Sequence, residues 1–458
     1  MIATNPRWPR KRIKAELDAR GAGVGARTTN EAMLDGLLEL KLWVGQYADH
    51  LELECADVLK KSERRAQTWL ESQRTRIEAA PIDRDLREVL IAGLTSVLQT
   101  GLIEHKQTVD AWRRVVVPDI LDSLLWAMNR AVPADVRRVL TSKRSVGAEA
   151  AREAIIGPGG RQYEGRYDAT KPDLFRQPLD PDLVDEVLER PDSEGQRFDD
   201  WYHSVNLDQA RRIRREVGTA LADPYAQPFS ELRRAVNQTL FTGTWATLNW
   251  SGVVAHSAIQ TAAIGLQEET YRANSDVVAG EQWMTALDDR VCDRCGPLDR
   301  SVWYAETDPR SPKVSERPRI PLHPRDRCEI APWTYSLSEM GIAGAPELGA
   351  GSRASMTGDV PGATSFGQWV RKQTAATQRR IVGPSRYEML EKGEIKYGDL
   401  AAFGDRKKHG RIEVERRTLP ELRALIAGDK AQALPDLTKH LDIGGTPLPT
   451  ARKKATSQ

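Results

Sequence analysis

The sequence predicts a mostly α fold (α+β) in three parts: a helical N-terminal domain, a central domain with short strands around a Cys/His knuckle, and a small C-terminal helical hairpin. Three observations support this. No proline occurs between Pro9 and Pro81, apolar residues recur there at spacings of three and four, and three of the four cysteines lie in one short region. A chain of 458 residues is long enough for about three domains. The predicted boundaries are 1–156 for the helical domain with its basic arm, 157–202 for a linker or excursion, 203–340 for the knuckle-bearing domain, 341–365 for a flexible linker, and 366–458 for the C-terminal helical module with a disordered tail.

Composition and charge exclude several classes of protein. Lysine and arginine number 67 and aspartate and glutamate 65, so the net charge of +2 gives no global field toward nucleic acid or an anionic membrane. Four cysteines are too few for a disulfide-stapled secreted scaffold. We find no run of about 18 apolar residues and no apolar core behind the basic segment Met1–Lys14, so we expect neither a membrane span nor a signal peptide.

The N-terminal domain begins with a basic arm and continues as long helices. Residues 1–27 are rich in arginine and lysine, which is typical of a mobile terminus or of an arm that contacts phosphate or an acidic protein surface. Thr28 and Glu31 have the spacing of a capping box, so a helix is expected to start there and to run to about residue 78. Its apolar seam weakens early, which favours ordinary helix packing over a coiled coil; the seam consists of Leu37, Leu40, Val44, Tyr47 and Leu51.

Two further helices are predicted in this domain. One covers about 84–115, and Pro118 is expected to begin the next, because proline is favoured in the first turn of a helix. Cys55 lies in mid-helix and is interpreted as a small buried apolar residue. Nothing in residues 1–156 indicates chemistry.

Glycine and proline interrupt the centre of the chain. Gly157-Pro158-Gly159-Gly160 breaks the helical pattern, but no Gly-Lys-Ser/Thr follows, so it is not a phosphate-binding loop. Helical patterning resumes at about 203–222 and again from about 228, with a helix over 253–273. Three tryptophans near this helix are expected to anchor the core rather than to form a binding platform: Trp245, Trp250 and Trp283.

The C-terminal part begins after a stretch rich in glycine, serine, alanine and proline, which predicts the flexible linker over 341–365. Ser365 is then expected to cap a helix from Phe366 to Val382. Gly383 suits the end of that helix, and Pro384 starts a second helix that ends near Lys392-Gly393. The basic tail at 452–454 is predicted to be disordered.

One group of side chains has a pattern typical of metal binding. Cys292 and Cys295 form a Cys-x-x-Cys knuckle on a tight turn, and Gly296 lets the backbone turn behind the second thiolate. His323 and Cys328 follow at a spacing of five. Cys292, Cys295, His323 and Cys328 supply three sulfurs and one imidazole, which suits a closed tetrahedral zinc site that would contribute folding energy.

Other states of these cysteines stay open. The thiols could be reduced and free of metal, or the Cys-x-x-Cys could be a redox pair of the thioredoxin kind, which requires a strand-to-helix context. A catalytic zinc is disfavoured because four protein ligands leave no position for water. No Gly-x-Ser-x-Gly elbow or His-Glu-x-x-His helix occurs, so we predict that the chain is not an enzyme.

Two segments resemble one known family. Residues 283–299 read Trp-x-Thr-x-x-Asp-x-x-Val-Cys-x-x-Cys-x-x-Leu-Asp, and residues 323–328 read His-Pro-x-x-Arg-Cys. This pattern is similar to the head morphogenesis domain of tailed bacteriophages, the Mu F-like minor capsid proteins. The helix over 253–273 occupies the place of that family's pre-knuckle helix, although His256 and its neighbours stand where the family often has Arg-Thr-Glu. The spacing from Trp369 to Tyr387 also resembles a C-terminal module of phage minor head proteins.

The resemblance implies a structural role. A few copies would join the procapsid, associate with the portal protein and with major capsid or scaffold proteins, and assist head assembly or genome delivery. The expected location is the virion or procapsid, after synthesis in the cytoplasm of the host bacterium, with weak DNA contact through the basic ends. Asp326 stands where many members carry an extra cysteine; either Asp326 or Cys328 could complete the metal site, and we expect Cys328 because thiolate outcompetes carboxylate for zinc in a sulfur-rich site.

Two other functions remain open. A metal-dependent nuclease or toxin acting on nucleic acid would need acidic residues around an open metal position, and the local candidates are Asp288, Asp289 and Asp299. Turn formation and charge balance are the simpler roles for these residues. A zinc-ribbon DNA-binding module would use the arginines of the knuckle for phosphate contacts: Arg290, Arg294, Arg325 and Arg327.

Overall fold

The computed structural model describes most of the chain between residues 29 and 443. It covers residues 29–79, 84–131, 175, 182–191, 195–220, 228–323, 325–336, 339, 352–408, 411–428 and 442–443. Within these residues the chain forms ten α-helices, three short 3-10 helices and eight strands, which confirms the predicted mostly α (α+β) class. The predicted basic arm, the cap at Thr28 and the basic tail lie outside the described residues.

Six helices precede the first strand. Leu40, Tyr47 and Leu51 of the predicted seam are buried, and so is Cys55, because the first helix turns this face toward its neighbours. The helices are α1 (Thr29–Ser72), α2 (Arg74–Ala79), α3 (Arg84–Ala131), α4 (Leu183–Leu188), α5 (Phe198–Ala220) and α6 (Pro228–Ala273).

Three predictions about these helices need correction. Pro118 does not begin a helix but lies inside α3, and the cost of its missing N–H, about 3 kcal/mol, is offset by burial of Val116, Val117 and Ile120 around it. The helix expected over 253–273 is the end of the longer α6. The predicted linker over 157–202 contains α4 and the start of α5 in its described part.

The chain divides into two compact units whose boundaries differ from the predicted domains. One unit holds the described residues of Trp43–Pro118 and Val184–Ala262, and the other holds those of Met1–Leu42, Asp119–Leu183 and Ala263–Gln458. Residues 203–262 therefore group with the early helices and not with the knuckle. The core of the first of these units includes Leu70, Ile77, Leu90, Leu94, Val217 and Leu232.

One helical segment passes a length and composition test for a membrane span. Arg84–Asp122 in α3 has a mean hydropathy of 1.3 in its most apolar window, of which 33% is buried within the protein. Core helices of soluble proteins pass the same test, so the expectation of no membrane span stays a prediction.

An antiparallel sheet lies in the unit that carries the knuckle. Its strands lie in the order β3 (Glu329–Thr334), β1 (Val278–Met284), β2 (Ser301–Tyr304) and β8 (Asp442–Ile443), and all seven residues of β1 are buried. Gly280 is required in β1 because a β-carbon there would collide with the backbone of Trp303 on β2. Trp283 is fully buried, as predicted, whereas the side chains of Trp245 and Trp250 lie outside the described set. The strands are β1 (Val278–Met284), β2 (Ser301–Tyr304), β3 (Glu329–Thr334), β4 (Ser352–Ser355), β5 (Gly358–Pro361), β6 (Ala401–Lys408), β7 (Arg411–Arg416) and β8 (Asp442–Ile443).

The predicted flexible linker over 341–365 is wrong for its second half. Residues 352–361 form the β4–β5 hairpin, and Arg353 in β4 is buried, with its guanidinium on Asp299. Residues 341–351 lie outside the described part of the chain.

The C-terminal module contains the predicted helical hairpin and more. The helix expected from Phe366 to Val382 is two helices, because Thr374 accepts a hydrogen bond from the Thr377 amide and caps a new start. The helices are α7 (Phe366–Arg371), α8 (Ala375–Val382), α9 (Pro384–Glu391) and α10 (Leu419–Ile426). Gly383 has a positive φ of 85° between α8 and α9, at the predicted junction. An antiparallel β6–β7 hairpin follows, which the sequence analysis did not predict.

Candidate metal centre

Strand pairing brings the two halves of the Cys/His motif together. Met284 at the end of β1 lies opposite Glu329 at the start of β3, so the segment that leaves β1 is adjacent to the segment that enters β3. The first segment carries Cys292 and Cys295, and the second carries His323 and Cys328. The antiparallel register therefore places ligands that are distant in sequence at one end of the sheet.

The backbone between the two cysteines of the knuckle forms a tight turn. The Gly296 amide donates to the Cys292 carbonyl at 3.0 Å, and the Leu298 amide donates to the Cys295 carbonyl at 3.0 Å. The Cys295 amide also points at the Cys292 sulfur, 3.4 Å away. This turn directs both sulfurs to one side, as the Cys-x-x-Cys spacing predicted.

Three of the four predicted ligands form a close triangle. Cys292 Sγ lies 3.3 Å from Cys295 Sγ and 3.2 Å from His323 Nε2, and Cys295 Sγ lies 3.4 Å from His323 Nε2. Tetrahedral zinc with Zn–S bonds of about 2.3 Å separates two sulfurs by about 3.8 Å, so a small outward shift would admit an ion. The donor set and its spacing fit a metal ion.

Cys328 joins the cluster through Cys295. The ligand atoms of Cys295, Asp326 and Cys328 all lie within 4.8 Å of one another, and all three residues are buried. Cys292, Cys295, His323 and Cys328 thus lie close enough together to bind a metal ion.

The Asp326 carboxylate has a second task in the loop before β3. One oxygen accepts the Cys328 amide at 2.9 Å and the other accepts the Leu322 amide at 2.6 Å. The first oxygen also lies 3.6 Å from Cys295 Sγ. These bonds close the loop around His323 and fix the position of Cys328, where Arg325 adopts a positive φ of 57°.

Electrostatics favour a negative charge on Cys292. Hydrogen bonding with Cys295, and then with His323, lowers the pKa of the Cys292 thiol to about 4, although burial acts in the opposite direction. Hydrogen bonding with Cys292 and Cys328, together with burial, raises the pKa of the Cys295 thiol well above its usual value. Cys295 thus keeps a proton that a metal cation would displace on binding.

The three acids predicted for a nuclease metal do not converge on the sulfurs. Asp288 accepts the Arg290 amide at 2.9 Å, as expected of a turn residue, and its carboxylate is paired with Arg327. Asp289 is paired with Arg380 at 2.6 Å. Asp299 is buried and is paired with Arg353 at 2.8 Å. Each predicted acid is thus engaged with a cation, and Arg327 is engaged as well.

Sequence reasoning missed the role of Asp299 as a junction. Its two oxygens accept from the Thr285 amide and hydroxyl at 2.8 and 3.1 Å, from both terminal nitrogens of Arg353 at 2.9 and 2.8 Å, and from the Phe366 amide at 2.7 Å. One carboxylate therefore joins the end of β1, the β4–β5 hairpin and the start of α7. The motif contained Asp299, but no signal in the sequence indicated its partners.

A second His/carboxylate group lies in the other compact unit. His256 Nε2 is 3.2 Å from an Asp49 oxygen and 3.6 Å from a Glu52 oxygen. Asp49 is 73% exposed, so these contacts are ordinary surface contacts.

The knuckle with its three sulfurs and one imidazole is therefore the candidate functional site of this chain. Comparison with protein-family models, with curated protein sequences and with solved structures finds no match.

Proposed function

We propose that the knuckle binds one structural zinc ion through Cys292, Cys295, His323 and Cys328. Thiolate and imidazole donors suit zinc, whereas carboxylate and water suit magnesium or calcium. Four protein ligands fill a tetrahedral shell, so this ion would stabilise the fold rather than activate water. Asp326 then acts beside the ion by closing the ligand loop and leaves the fourth position to Cys328.

We further propose that the chain is a minor capsid protein for head morphogenesis in a tailed bacteriophage. The observation that carries this proposal is the joining of the two motif segments, 283–299 and 323–328, at one cluster of metal ligands. The same residues carry the resemblance to the Mu F-like family. In this role a few copies would associate with the portal protein and contact the major capsid or scaffold proteins in the procapsid and virion.

Two features of the described residues favour this structural role over catalysis. The acids of the knuckle are bound to arginines, so they offer no open carboxylate set for a nuclease metal. Arg327 of the proposed phosphate-binding set is paired with Asp288, which weakens the alternative of a zinc-ribbon DNA-binding module. Weak DNA contact is left to the basic ends of the chain.

Metal analysis of the purified full chain tests the zinc proposal. Elemental analysis should find about one zinc per chain in the wild type and in the matched Cys55→Ala variant, because Cys55 is a buried helix residue outside the cluster. Cys292→Ser should lose the metal. A wild-type protein that folds without metal would overturn the zinc site.

Association with the portal tests the assembly proposal. The chain should be co-expressed with the candidate portal protein and recovered with it in a pull-down, whereas Cys292→Ser should reduce recovery if the knuckle orders the contact surface. No association of the wild type with the portal would contradict the proposal. Salt-dependent binding to DNA by the isolated wild type would instead support the DNA-binding alternative.

A further inference from the structure

The knuckle loop, residues 285–300, is covered by segments that come later in the chain. A β-carbon at Gly296 would lie 2.6 Å from the Tyr397 hydroxyl and 2.8 Å from a Phe366 ring carbon. Phe366 and Tyr397 belong to the described part of the C-terminal module, and both are buried. The module therefore packs directly on the glycine that follows the second cysteine.

Two ion pairs attach the module to the same loop. Asp293, which lies between the two cysteines, is paired with Arg416 of β7 at 2.6 Å, and Asp289 is paired with Arg380 of α8 at 2.6 Å. The Asp293 side chain is only 11% exposed, so its charge is more costly to leave unpaired than that of a surface residue. The module thus neutralises acids on both sides of Cys292.

Three hydrogen bonds extend this attachment. The Phe366 amide donates to Asp299 at 2.7 Å, and the Met356 amide of the β4–β5 hairpin donates to the Leu287 carbonyl at 2.9 Å. Arg300 donates to the Gly362 carbonyl at 2.6 Å. The loop that carries two of the metal ligands is consequently held at its start and at its end by residues 353–366.

The Tyr397 hydroxyl is an unused donor beside the knuckle turn. It is buried and has no hydrogen-bond partner within the described part of the chain. It lies against the knuckle turn, 2.6 Å from where a β-carbon at Gly296, the residue after Cys295, would be. A buried hydroxyl without a partner is costly, and a metal-bound thiolate is a strong acceptor.

We propose that the C-terminal module forms the outer shell of the metal centre, so that metal binding and docking of the module are coupled. Tyr397 and Arg416 are positioning residues that act through the knuckle turn. The inference rests on the proposed metal centre. Outer-shell residues orient the ligands and commonly change metal affinity by 10- to 100-fold. Linkage requires that the metal in turn stabilises the docked module by the same factor.

Metal affinity of the full chain is the first test, measured by competition with a chromophoric zinc chelator. The variant Arg380→Ala/Arg416→Ala and the variant Tyr397→Phe should each bind zinc about tenfold more weakly than the wild type. Two matched controls in the same module should stay within twofold: Arg423→Ala, an exposed α10 residue, and Tyr387→Phe, whose hydroxyl bonds Glu391 instead. Equal affinity in the test variants and the controls would overturn the coupling.

Hydrogen exchange with and without a chelator is the second test and needs no mutation. Removal of zinc should increase amide exchange in residues 366–400 at least tenfold, while residues 60–94 of the other compact unit should exchange as before. If the wild type holds no metal, the proposed centre and the coupling both fail. If it holds metal but exchange in the module does not change on chelation, the metal centre stands and the coupling alone is refuted.

Discussion

Loss of the Asp299 carboxylate should destabilise the knuckle-bearing unit more than any surface substitution. The side chains of Asp299 and Arg353 are 0% and 3% exposed, and the carboxylate accepts five hydrogen bonds from three segments. Asp299→Asn keeps the shape but removes the charge and one acceptor oxygen. The Arg353 guanidinium then stays buried without its counter-ion, and such a loss costs about 3–5 kcal/mol. We expect Asp299→Asn to lower the free energy of unfolding by about 3 kcal/mol.

Urea denaturation at fixed zinc concentration measures this loss, and a double-mutant cycle assigns it. Arg353→Met alone should also be destabilising, but the double variant should cost less than the sum of the two by at least about 1.5 kcal/mol, because the second change removes a charge that is already unpaired. Asp359→Asn at an exposed position of β5 is the matched control and should stay within about 0.5 kcal/mol of the wild type. A loss below about 1 kcal/mol for Asp299→Asn, or strict additivity in the cycle, would refute the reasoning.

Two further predictions concern the helical unit. Burial lowers the pKa of His105 to about 4 from its usual 6.5. The free energy of unfolding should therefore decline as the pH falls from 6.5 and level off near pH 4, after a loss of about 3 kcal/mol. Denaturation across this pH range should show that His105→Gln removes the slope, and an unchanged slope would contradict the prediction. Gly93→Ala should lower the free energy of unfolding by about 1–3 kcal/mol, because its β-carbon would overlap the Trp69 indole. Gly218→Ala in α5, where a β-carbon would meet no other atom, should raise the free energy of unfolding by up to about 1 kcal/mol. Equal thermal shifts in the two alanine variants would show that the clash is absent.

The sequence predicted the cluster of Cys292, Cys295, His323 and Cys328 because the signal of a candidate metal site is chemical and short in range. Cysteine is rare in this chain, and a Cys-x-x-Cys turn can form without help from distant residues. The Cys292–Cys295 segment meets the His323–Cys328 segment only because β1 pairs with β3. The expectation of short strands around the knuckle did not specify that pairing. Partners such as Arg353 and Arg416 could not be predicted, because a lone arginine in a glycine-rich or charged segment is normally solvated.

Local rules failed where tertiary packing overrode them. By propensity Pro118 is a reasonable first residue of a helix, but burial of the two valines before it stabilises one continuous α3. Residues 352–361 have the composition of a linker, and their hairpin is held by the buried contact of Arg353 with Asp299. The β6–β7 hairpin, by contrast, could have been predicted in part, because Ile412 and Val414 of β7 alternate with charged residues as in a strand.

The arrangement of charges around the knuckle explains why so many acids surround a sulfur site without serving as ligands. Asp289, Asp293 and Asp299 are each paired with an arginine from a different later element: α8, β7 and β4. A loop that binds a cation through thiolates gains little from additional nearby carboxylates, but three acids at fixed positions give three attachment points for the chain that follows. An ion bound as we propose would order the loop, and the ordered loop would present its acids at the spacing that the hairpin and the module require. The proposed metal centre would therefore be the point at which three late segments are assembled, which is the role expected of a closed structural site.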